Sequence, residues 1–220
     1  MALATARINR TRAGSRSDGG SPATLQALKS AQTRARLIEA TIACLVKYGY
    51  AKTTTPQVAA EAGLSRGAML HHFENGAALI KATIIELHEK RLRAFRRAAD
   101  TRNHDPSALV NAYWRQLQKP AFIAFHELAL AARTNNDLAS ILQPLQVEFR
   151  ERYHAEAVQL FPEWQSDPER FELAMALAQT VAEGLAINLH TGAVDPAMVE
   201  PMLEMLAQQI ERMKPSDAKS

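Results

Sequence analysis

The chain has 220 residues, enough to bury one sizeable core or two modest ones, and 47% of them are hydrophobic. No uninterrupted apolar run approaches the roughly 18 residues of a membrane span, and the N-terminus lacks the apolar block of a secretory signal, so we expect no membrane association and a cytoplasmic location. The single cysteine, Cys44, excludes an intramolecular disulfide and a cysteine-rich zinc site.

The formal charge of +3 is distributed unevenly along the chain. Residues 1–28 carry a net charge of +3, residues 29–97 carry +7, and residues 98–220 carry −7. Phosphate contacts supply most non-specific DNA affinity, so a basic end joined to an acidic end indicates a polyanion-binding part attached to a part with another task. The alternative is chance clustering of charge on solvated helix faces.

The first 28 residues are rich in Gly, Ser, Thr, Ala and Arg, with almost no periodic apolar residues, which predicts a disordered basic arm. A first helix is predicted from Gln32, where apolar residues begin to recur at helical spacing, to Gly49, whose position fits a C-terminal cap. Cys44 lies on the apolar face of this helix. We therefore expect it to be a buried small residue rather than a redox sensor.

The segment TTTPQVAAEAGLSRGAMLHHF, residues 53–73, predicts two short helices joined by a turn of about three residues. Thr54 can cap the first of these helices, and Gly63 can end it in a left-handed conformation. Ser65 is a second N-cap, so a helix can restart at Arg66 and reach the end of the segment. A turn of this length forms the corner of a helix-turn-helix, whose second helix enters the DNA major groove.

This segment resembles the tetracycline-repressor-like (TetR/AcrR) transcription regulators, and the match is specific over roughly residues 30–80. The chain departs from the family pattern at Leu70, where a tyrosine is usual, and at Gly76, where a lysine commonly opens the next helix. In the family both residues tend to touch DNA phosphates. The matching residues are Gly49, Tyr50, Thr53, Thr54, Val58, Ala59, Ala62, Gly63, Leu64, Ser65, Gly67, Met69, His72 and Phe73.

Helical patterns continue through the rest of the chain. A fourth helix from about Ala77 to Asp100 has an apolar stripe opposite a basic cluster, in which Glu86–Lys90 and Glu89–Arg93 can pair because each pair is four residues apart. No segment alternates like a strand. Further helical blocks are predicted at about 107–118, 121–134, 136–160, 168–190 and 196–213.

The pattern predicts an all-α fold, with a three-helix helix-turn-helix DNA-binding domain and a larger helical domain. The resemblance implies that the larger helical domain is the ligand-binding and dimerisation domain. The predicted divisions are a basic arm (1–28), a DNA-binding domain (29–76), a connecting helix (77–100) and the larger helical domain (101–220).

The second helix of the motif is predicted to read base sequence. Arg66 lies in its first turn and can bond a guanine in two places, and the Ala68 methyl and His71 can read neighbouring positions. His72, by the family match, and the capping threonines Thr54 and Thr55, near a helix N-terminus, are expected to hold phosphates and fix the docking register. His71 and His72 point about 100° apart on a helix, a poor geometry for sharing one metal. The predicted contacts to double-stranded operator DNA are Thr54, Thr55, Ser65, Arg66, Gly67, Ala68, His71 and His72.

Six aromatic or semi-polar residues lie inside otherwise apolar helices of the larger domain. They are consistent with ordinary core packing, but the polar tips of Trp, Tyr and His need partners when buried, as they would find in a small-molecule cavity. The resemblance implies a repressor that binds a small-molecule effector of unknown identity in this domain and then releases DNA. The candidate ligand contacts are Trp114, Phe122, Phe125, His126, Phe149 and Tyr153.

The last two predicted helices combine apolar and small residues on more than one face, so they need neighbours on more than one side. The resemblance implies that they pair across a two-fold axis in a homodimer, the usual way to bind a palindromic operator. Leu185 and Leu206 are expected at this interface. The alternative is deep burial within one chain.

Nothing in the sequence favours catalysis. His126–Glu127 is not a zinc-protease motif, because Leu130 stands where the second histidine would be, and there is no P-loop and no GxSxG motif. No catalytic residue, cofactor or metal is predicted. The departures at Leu70 and Gly76 leave one alternative, a helical ligand-binding or protein-interaction module without operator DNA binding.

Overall fold

The computed structural model describes residues 22–99 and 105–215, which form nine α-helices and three short 3-10 turns and contain no β-strand. The described residues confirm the all-α fold, and the helices beyond residue 105 begin and end close to the predicted blocks. The helices are α1 (Pro22–Tyr48), α2 (Thr55–Glu61), α3 (Arg66–Leu70), α4 (Gly76–Ala99), α5 (Pro106–Leu117), α6 (Pro120–Ala132), α7 (Asn136–Leu160), α8 (Pro168–Thr191) and α9 (Val199–Met213).

Helix α1 begins at Pro22 rather than at Gln32, so the end of the predicted arm, residues 22–28, is helical. The side chains of Leu25 and Leu28 are more than half exposed, and residues 25–28 present no buried face. Its residues are good helix formers behind a proline at the first helical position, so local propensity extends the helix where apolar periodicity does not. The remainder of the predicted arm, residues 1–21, lies outside the described residues.

The two helices of the motif begin and end through local signals. Gly63 follows α2 with φ of +63°, and the Leu64 amide donates to the Ala59 carbonyl at 2.8 Å, which closes the helix end. The Ser65 hydroxyl accepts from the Ala68 amide at 3.1 Å and caps α3. Helix α3 ends at Leu70, earlier than predicted, and continues as a turn.

A first hydrophobic core holds α1, α2, α3 and the start of α4 together. Ala59 of α2 and Met69 of α3 are both almost fully buried in it, so the two helices of the motif pack closely together. Cys44 is also buried there, as expected. The core consists of Leu37, Ala40, Cys44, Val58, Ala59, Ala62, Met69, Phe73, Leu79 and Ala82.

A second hydrophobic core lies on the other side of α1. Ile42 and Leu45 of α1 pack there against α4, α6 and α7, where Leu128 is fully buried. Helix α1 therefore contributes buried side chains to two cores. Three further clusters lie around the end of α7, among α5, α8 and α9, and among α5, α6 and α8.

The basic cluster of α4 pairs with other helices more than with itself. The predicted pairs Glu86–Lys90 and Glu89–Arg93 do not form. Glu86 instead bonds Arg93 at 2.6 Å, two turns along the helix. Lys90 reaches Glu39 of α1 at 2.7 Å and Glu89 is bonded by Arg152 of α7 at 2.7 Å, because these neighbouring helices offer partners that an isolated helix lacks.

None of the helices among residues 22–99 and 105–215 is long and apolar enough to cross a membrane.

Candidate DNA-binding surface and internal cavity

The first turn of α3 presents a cation to solvent. Arg66 and Gly67 are exposed and Ala68 is half-buried, while Ser65 beside them is held as the helix cap. Arg66 makes no ion pair or hydrogen bond with any residue that the structure describes. Its guanidinium is therefore available to bond an external acceptor in two places.

The start of α2 lies beside α3. The Thr54 amide and hydroxyl donate to the Gln57 side-chain oxygen at 3.0 and 2.9 Å, so the glutamine helps to fix the start of α2. Thr54 is exposed and Thr55 is half-buried. A Cβ at Gly76 would lie 3.3 Å from the Thr55 Cγ2 atom, so glycine allows α4 to begin close to α2.

The turn after α3 is anchored to α1 by an arginine that the motif does not include. The Arg34 side chain donates from Nη1 to the His72 carbonyl at 3.0 Å, and its guanidinium carbon lies 4.1 Å from the centre of the Phe73 ring. His71 is exposed and His72 is half-buried. Arg34 therefore positions the end of the helix-turn-helix against α1.

Part of the basic charge is too far from this surface to touch the same DNA. At about 1.5 Å per residue, the cations from Lys90 to Arg97 lie roughly 20 to 30 Å along α4 from Gly76. The charge difference along the sequence thus overstates the DNA-facing charge. The cations of the far half of α4 need another explanation.

A cavity of about 110 Å³, partly open to solvent and called the internal cavity below, lies among α4, α5, α7, α8 and α9. It is of the same order as an engineered apolar cavity of about 150 Å³ that binds benzene. The rings of Phe95 and Tyr153 lie 4.4 Å apart on its wall, and Trp164 and Phe171 lie 5.5 Å apart. The cavity suits an apolar or aromatic group of small size.

One end of the cavity is bounded by a half-buried hydrogen-bond network. The Glu183 carboxylate accepts from Arg91 at 3.0 Å and from the Tyr113 hydroxyl at 2.5 Å. Burial raises the pKa of Tyr113 well above its usual value and outweighs the opposing effect of Arg91. Burial likewise raises the pKa of Tyr153 to about 12. Both phenols therefore stay protonated near neutral pH, and the Arg91 charge is compensated by Glu183.

The structure does not gather the six candidate ligand contacts around one cavity. Tyr153 lines the internal cavity. Phe122 and Phe125 instead line a second space, a cleft among α1, α4, α5 and α6.

The other three candidates line neither space. Trp114 packs against apolar side chains of α5, α8 and α9, and Phe149 stacks on the ring of His88 at 4.5 Å. His126 bonds the Phe122 carbonyl through Nδ1 at 3.0 Å, with Nε2 3.9 Å from Glu183. Ordinary core packing therefore accounts for Trp114 and Phe149.

Most of the residues that line the internal cavity were not among the candidates predicted from the sequence. They come from five helices and the short turn between α7 and α8. The residues missed include Phe95, Tyr113, Phe161, Trp164 and Phe171. The available signals were the aromatic Phe-Pro-Glu-Trp run at 161–164, between two helical blocks, and the acidic residue Glu183 in the apolar middle of α8.

Leu185 and Leu206, expected at a dimer interface, are only 2% and 5% exposed within the single chain. Both belong to a core formed by α5, α8 and α9, because α5 covers the face that the sequence left without a partner. The outward faces of the last two helices carry other apolar residues. Met205 is 71% exposed, and Leu173 and Ile187 are also exposed.

No group of three or more potential metal ligands occurs among the residues that the structure describes.

Comparisons with known proteins place this geometry in a family. A model of the bacterial regulatory proteins of the tetR family matches residues 37–83. An uncharacterised HTH-type transcriptional regulator of Mycobacterium tuberculosis is 31% identical over 179 residues, which cover 80% of this chain and 91% of that protein. The HTH-type transcriptional regulator TtgR of Pseudomonas putida is 36% identical over 103 residues, 47% of this chain and 46% of TtgR.

The fold agrees with a solved structure of the same description. The crystal structure of a TetR family transcription regulator from Marinobacter aquaeolei covers 86% of this chain and 98% of that one, with a TM-score of 0.58 and 17% sequence identity. The helix-turn-helix geometry, the matching family model and the near full-length mycobacterial relative agree. The chain belongs to the TetR family of bacterial transcriptional regulators.

Proposed function

We propose that this regulator is a homodimeric repressor that binds a palindromic operator through α2 and α3 and releases it when a small molecule occupies the helical domain. The observation that carries the proposal is the exposed and unpaired Arg66 in the first turn of α3, at the corner of a tightly packed helix-turn-helix. A recognition helix reads base edges from its N-terminal residues, which is where Arg66 lies.

The proposed DNA contacts divide into two roles. Arg66, Ala68 and His71 face the bases, while Thr54 and His72 hold phosphates and fix the register. Thr55, Ser65 and Gly67 complete the proposed contact surface. The exposed Leu70 adds apolar surface where the family pattern has a tyrosine.

The test is operator selection from genomic DNA by the purified protein, followed by binding to single-base variants of the selected site. Arg66→Ala should lose about 1–3 kcal/mol and relax the preference at one base pair per half-site, whereas His72→Ala should weaken all sequences about equally. Lys81→Ala removes an exposed cation of α4 outside the surface and serves as the control. An Arg66→Ala protein with an unaltered preference profile would exclude base reading. Failure of the wild type to select any site would favour a ligand-binding or protein-interaction module without operator binding.

The proposed dimer uses the outward face of α8. Leu173, Ala176, Thr180, Gly184 and Ile187 recur at helical spacing along this face. Small residues at its centre allow two helices to approach closely. A Cβ at Gly184 would meet nothing within 4 Å in the single chain, so the protomer itself does not require glycine there.

Gly184→Leu tests this face without disturbing the core. We expect it to weaken the dimer in sedimentation equilibrium, while Gly184→Ala, the control, keeps the dimer and stabilises the helix by up to about 1 kcal/mol. A wild type that is monomeric at micromolar concentration would exclude the dimer. A Gly184→Leu protein that dimerises as tightly as the wild type would place the interface elsewhere.

The proposed effector site is the cavity lined by Tyr153, Phe95 and Trp164. An effector that binds there should raise the melting temperature, because it binds only the folded state. By reciprocal coupling it should also weaken operator binding, by about 1–3 kcal/mol. Trp164 rather than Trp114 should report binding by fluorescence, since Trp114 does not line the cavity.

A further inference from the structure

The cations at the far end of α4 surround a cleft. Lys90, Arg93 and Arg97 recur at i, i+3 and i+7, which places them on one face of α4. That face lines a cleft of about 400 Å³, bounded also by α1, α5 and α6. The charged residues lining the cleft are Lys90, Arg91, Arg93, Arg97 and Lys119 against the single acid Glu39.

Internal ion pairs neutralise only part of this charge. Lys90 pairs with Glu39, Arg91 with Glu183 and Arg93 with Glu86, at 2.7, 3.0 and 2.6 Å. The two remaining cations, Arg97 and Lys119, have no ion pair with a carboxylate among the residues that the structure describes.

Arg97 lines the cleft from α4, and Lys119 lines it from the turn between α5 and α6. Like charges gathered around a concave space repel one another and focus a positive potential into it, so an anion in the cleft would be stabilised. Operator DNA cannot fill this role for the same bound molecule, because Arg97 lies roughly 30 Å along α4 from Gly76 at about 1.5 Å per residue.

The cleft and the internal cavity share one wall. Arg91, Ala94, Tyr113 and Gln116 line both spaces, so a single layer of side chains separates them. Arg91 and Tyr113 are held by Glu183, but the Gln116 side chain makes no hydrogen bond with any described residue. Gln116 is therefore the polar side chain of this shared wall whose rotation would break no hydrogen bond with a described residue.

We propose that the cavity and the cleft together bind one effector, an amphipathic anion whose apolar part fills the cavity and whose anionic group lies in the cleft against Arg97 and Lys119. This inference rests on the proposed function of the helical domain and names the chemical class of its effector. The cavity offers aromatic surface and a compensated Arg91, which suits an uncharged body, while the cleft offers uncompensated cations, which suit a carboxylate or phosphate.

The test uses ω-phenylalkanoates with two to eight methylene groups and the alcohols of the same length as probes. Binding is followed by Trp164 fluorescence in a Trp114→Phe background at low salt. For the best chain length we expect the acid to bind at least about tenfold more tightly than the alcohol, because a charge-assisted contact exceeds a neutral one. In Arg97→Gln/Lys119→Gln the acid should fall to within about twofold of the alcohol, while the alcohol keeps its affinity.

Two controls separate this effect from general charge and from loss of folding. Arg133→Gln/Arg150→Gln removes two exposed cations outside the cleft and should leave the difference between acid and alcohol unchanged. Ala178→Leu and Ala178→Trp place progressively more volume in the cavity and should weaken both probes in that order. Helix content and melting temperature are measured for each variant, and Ala178→Leu alone decides if Ala178→Trp does not fold.

Several results would overturn the proposal. These are failure of every acid to bind, equal affinity for acid and alcohol in the wild type, and full preference for the acid in Arg97→Gln/Lys119→Gln. Acid binding that is unaffected by Ala178→Leu would also overturn it, since the anion would then occupy the cleft alone. Operator binding is measured separately on the same wild-type protein. If the effector proposal fails while the wild type still binds its operator, that result is distinguishable from failure of the proposed function.

Discussion

His88 should make the stability of this protein depend on pH. It lies on α4 with only 4% of its surface exposed, stacked on the Phe149 ring at 4.5 Å and 5.5 Å from the Phe125 ring. Its Nε2 atom lies 3.1 Å from the Gln146 side-chain oxygen. Burial, assisted by the positive charge of Arg91, lowers the pKa of His88 from 6.5 to about 4, and the contact with Gln146 opposes this only in part.

The sign follows from the lowered pKa. Protonation is easier in the unfolded chain, with a pKa near 6.5, than in the folded protein, with a pKa of about 4. The contribution of neutral His88 to stability is therefore complete above pH 6.5 and is lost as the pH falls through the window from 6.5 to about 4. Integrating the linkage relation between these pKa values gives a loss of about 2 kcal/mol between pH 8 and pH 5.

The assay is urea unfolding of wild type and His88→Gln at pH 8 and pH 5, at one fixed protomer concentration because a dimer's stability depends on it. Glutamine does not titrate and can still bond Gln146, so the variant should lose about 2 kcal/mol less than the wild type over this range. His190→Gln, which changes a histidine in the last turn of α8, should behave as the wild type. Equal losses in wild type and His88→Gln would refute the argument.

Two further changes test the helix-turn-helix. Arg34→Met removes the donor to the His72 carbonyl and should weaken operator binding about equally for all sequences, by about 1–2 kcal/mol, as measured by fluorescence anisotropy titration. Arg36→Met, on an exposed face of α1, is the control. Equal effects of the two substitutions would contradict a positioning role for Arg34. Gly63→Ala places a side chain at φ of +63° and should lower the free energy of unfolding by about 1 kcal/mol in chemical denaturation, whereas Gly67→Ala, inside α3 with ordinary contacts, should not destabilise the protein.

Local signals made the helix-turn-helix predictable. Gly63 and Ser65 act on backbone groups within five residues, so the sequence alone shows what they cap. The early end of α3 could not be predicted in the same way, because it depends on a contact from outside the segment. The helical pattern of residues 66–73 cannot tell a helix from the turn that Arg34 holds, because Arg34 is 38 residues away along the chain.

The helical domain was less predictable because its contacts join distant segments. Glu183 meets Arg91 across 92 residues, and no periodicity in α8 distinguishes the face covered by α5 from the face left to a partner. Periodicity therefore predicts Leu185 at a dimer interface, whereas the structure buries Leu185 and exposes Leu173. Aromatic residues inside helices likewise predicted a cavity in this domain but not which of them line it.

The position of α1 in two hydrophobic cores limits how this protein could be recombined with its relatives. A hybrid regulator that takes residues 29–76 from this chain would place Ile42 and Leu45 against the α4, α6 and α7 of another protein. The side chains of those helices are not complementary to Ile42 and Leu45. Such a hybrid would contain cavities or steric clashes between its DNA-binding domain and its helical domain. A functional hybrid must therefore also include the α6 residues that contact α1, or its α1 residues that face α6 must be redesigned. Operator specificity in this chain cannot be exchanged by transferring residues 29–76 alone.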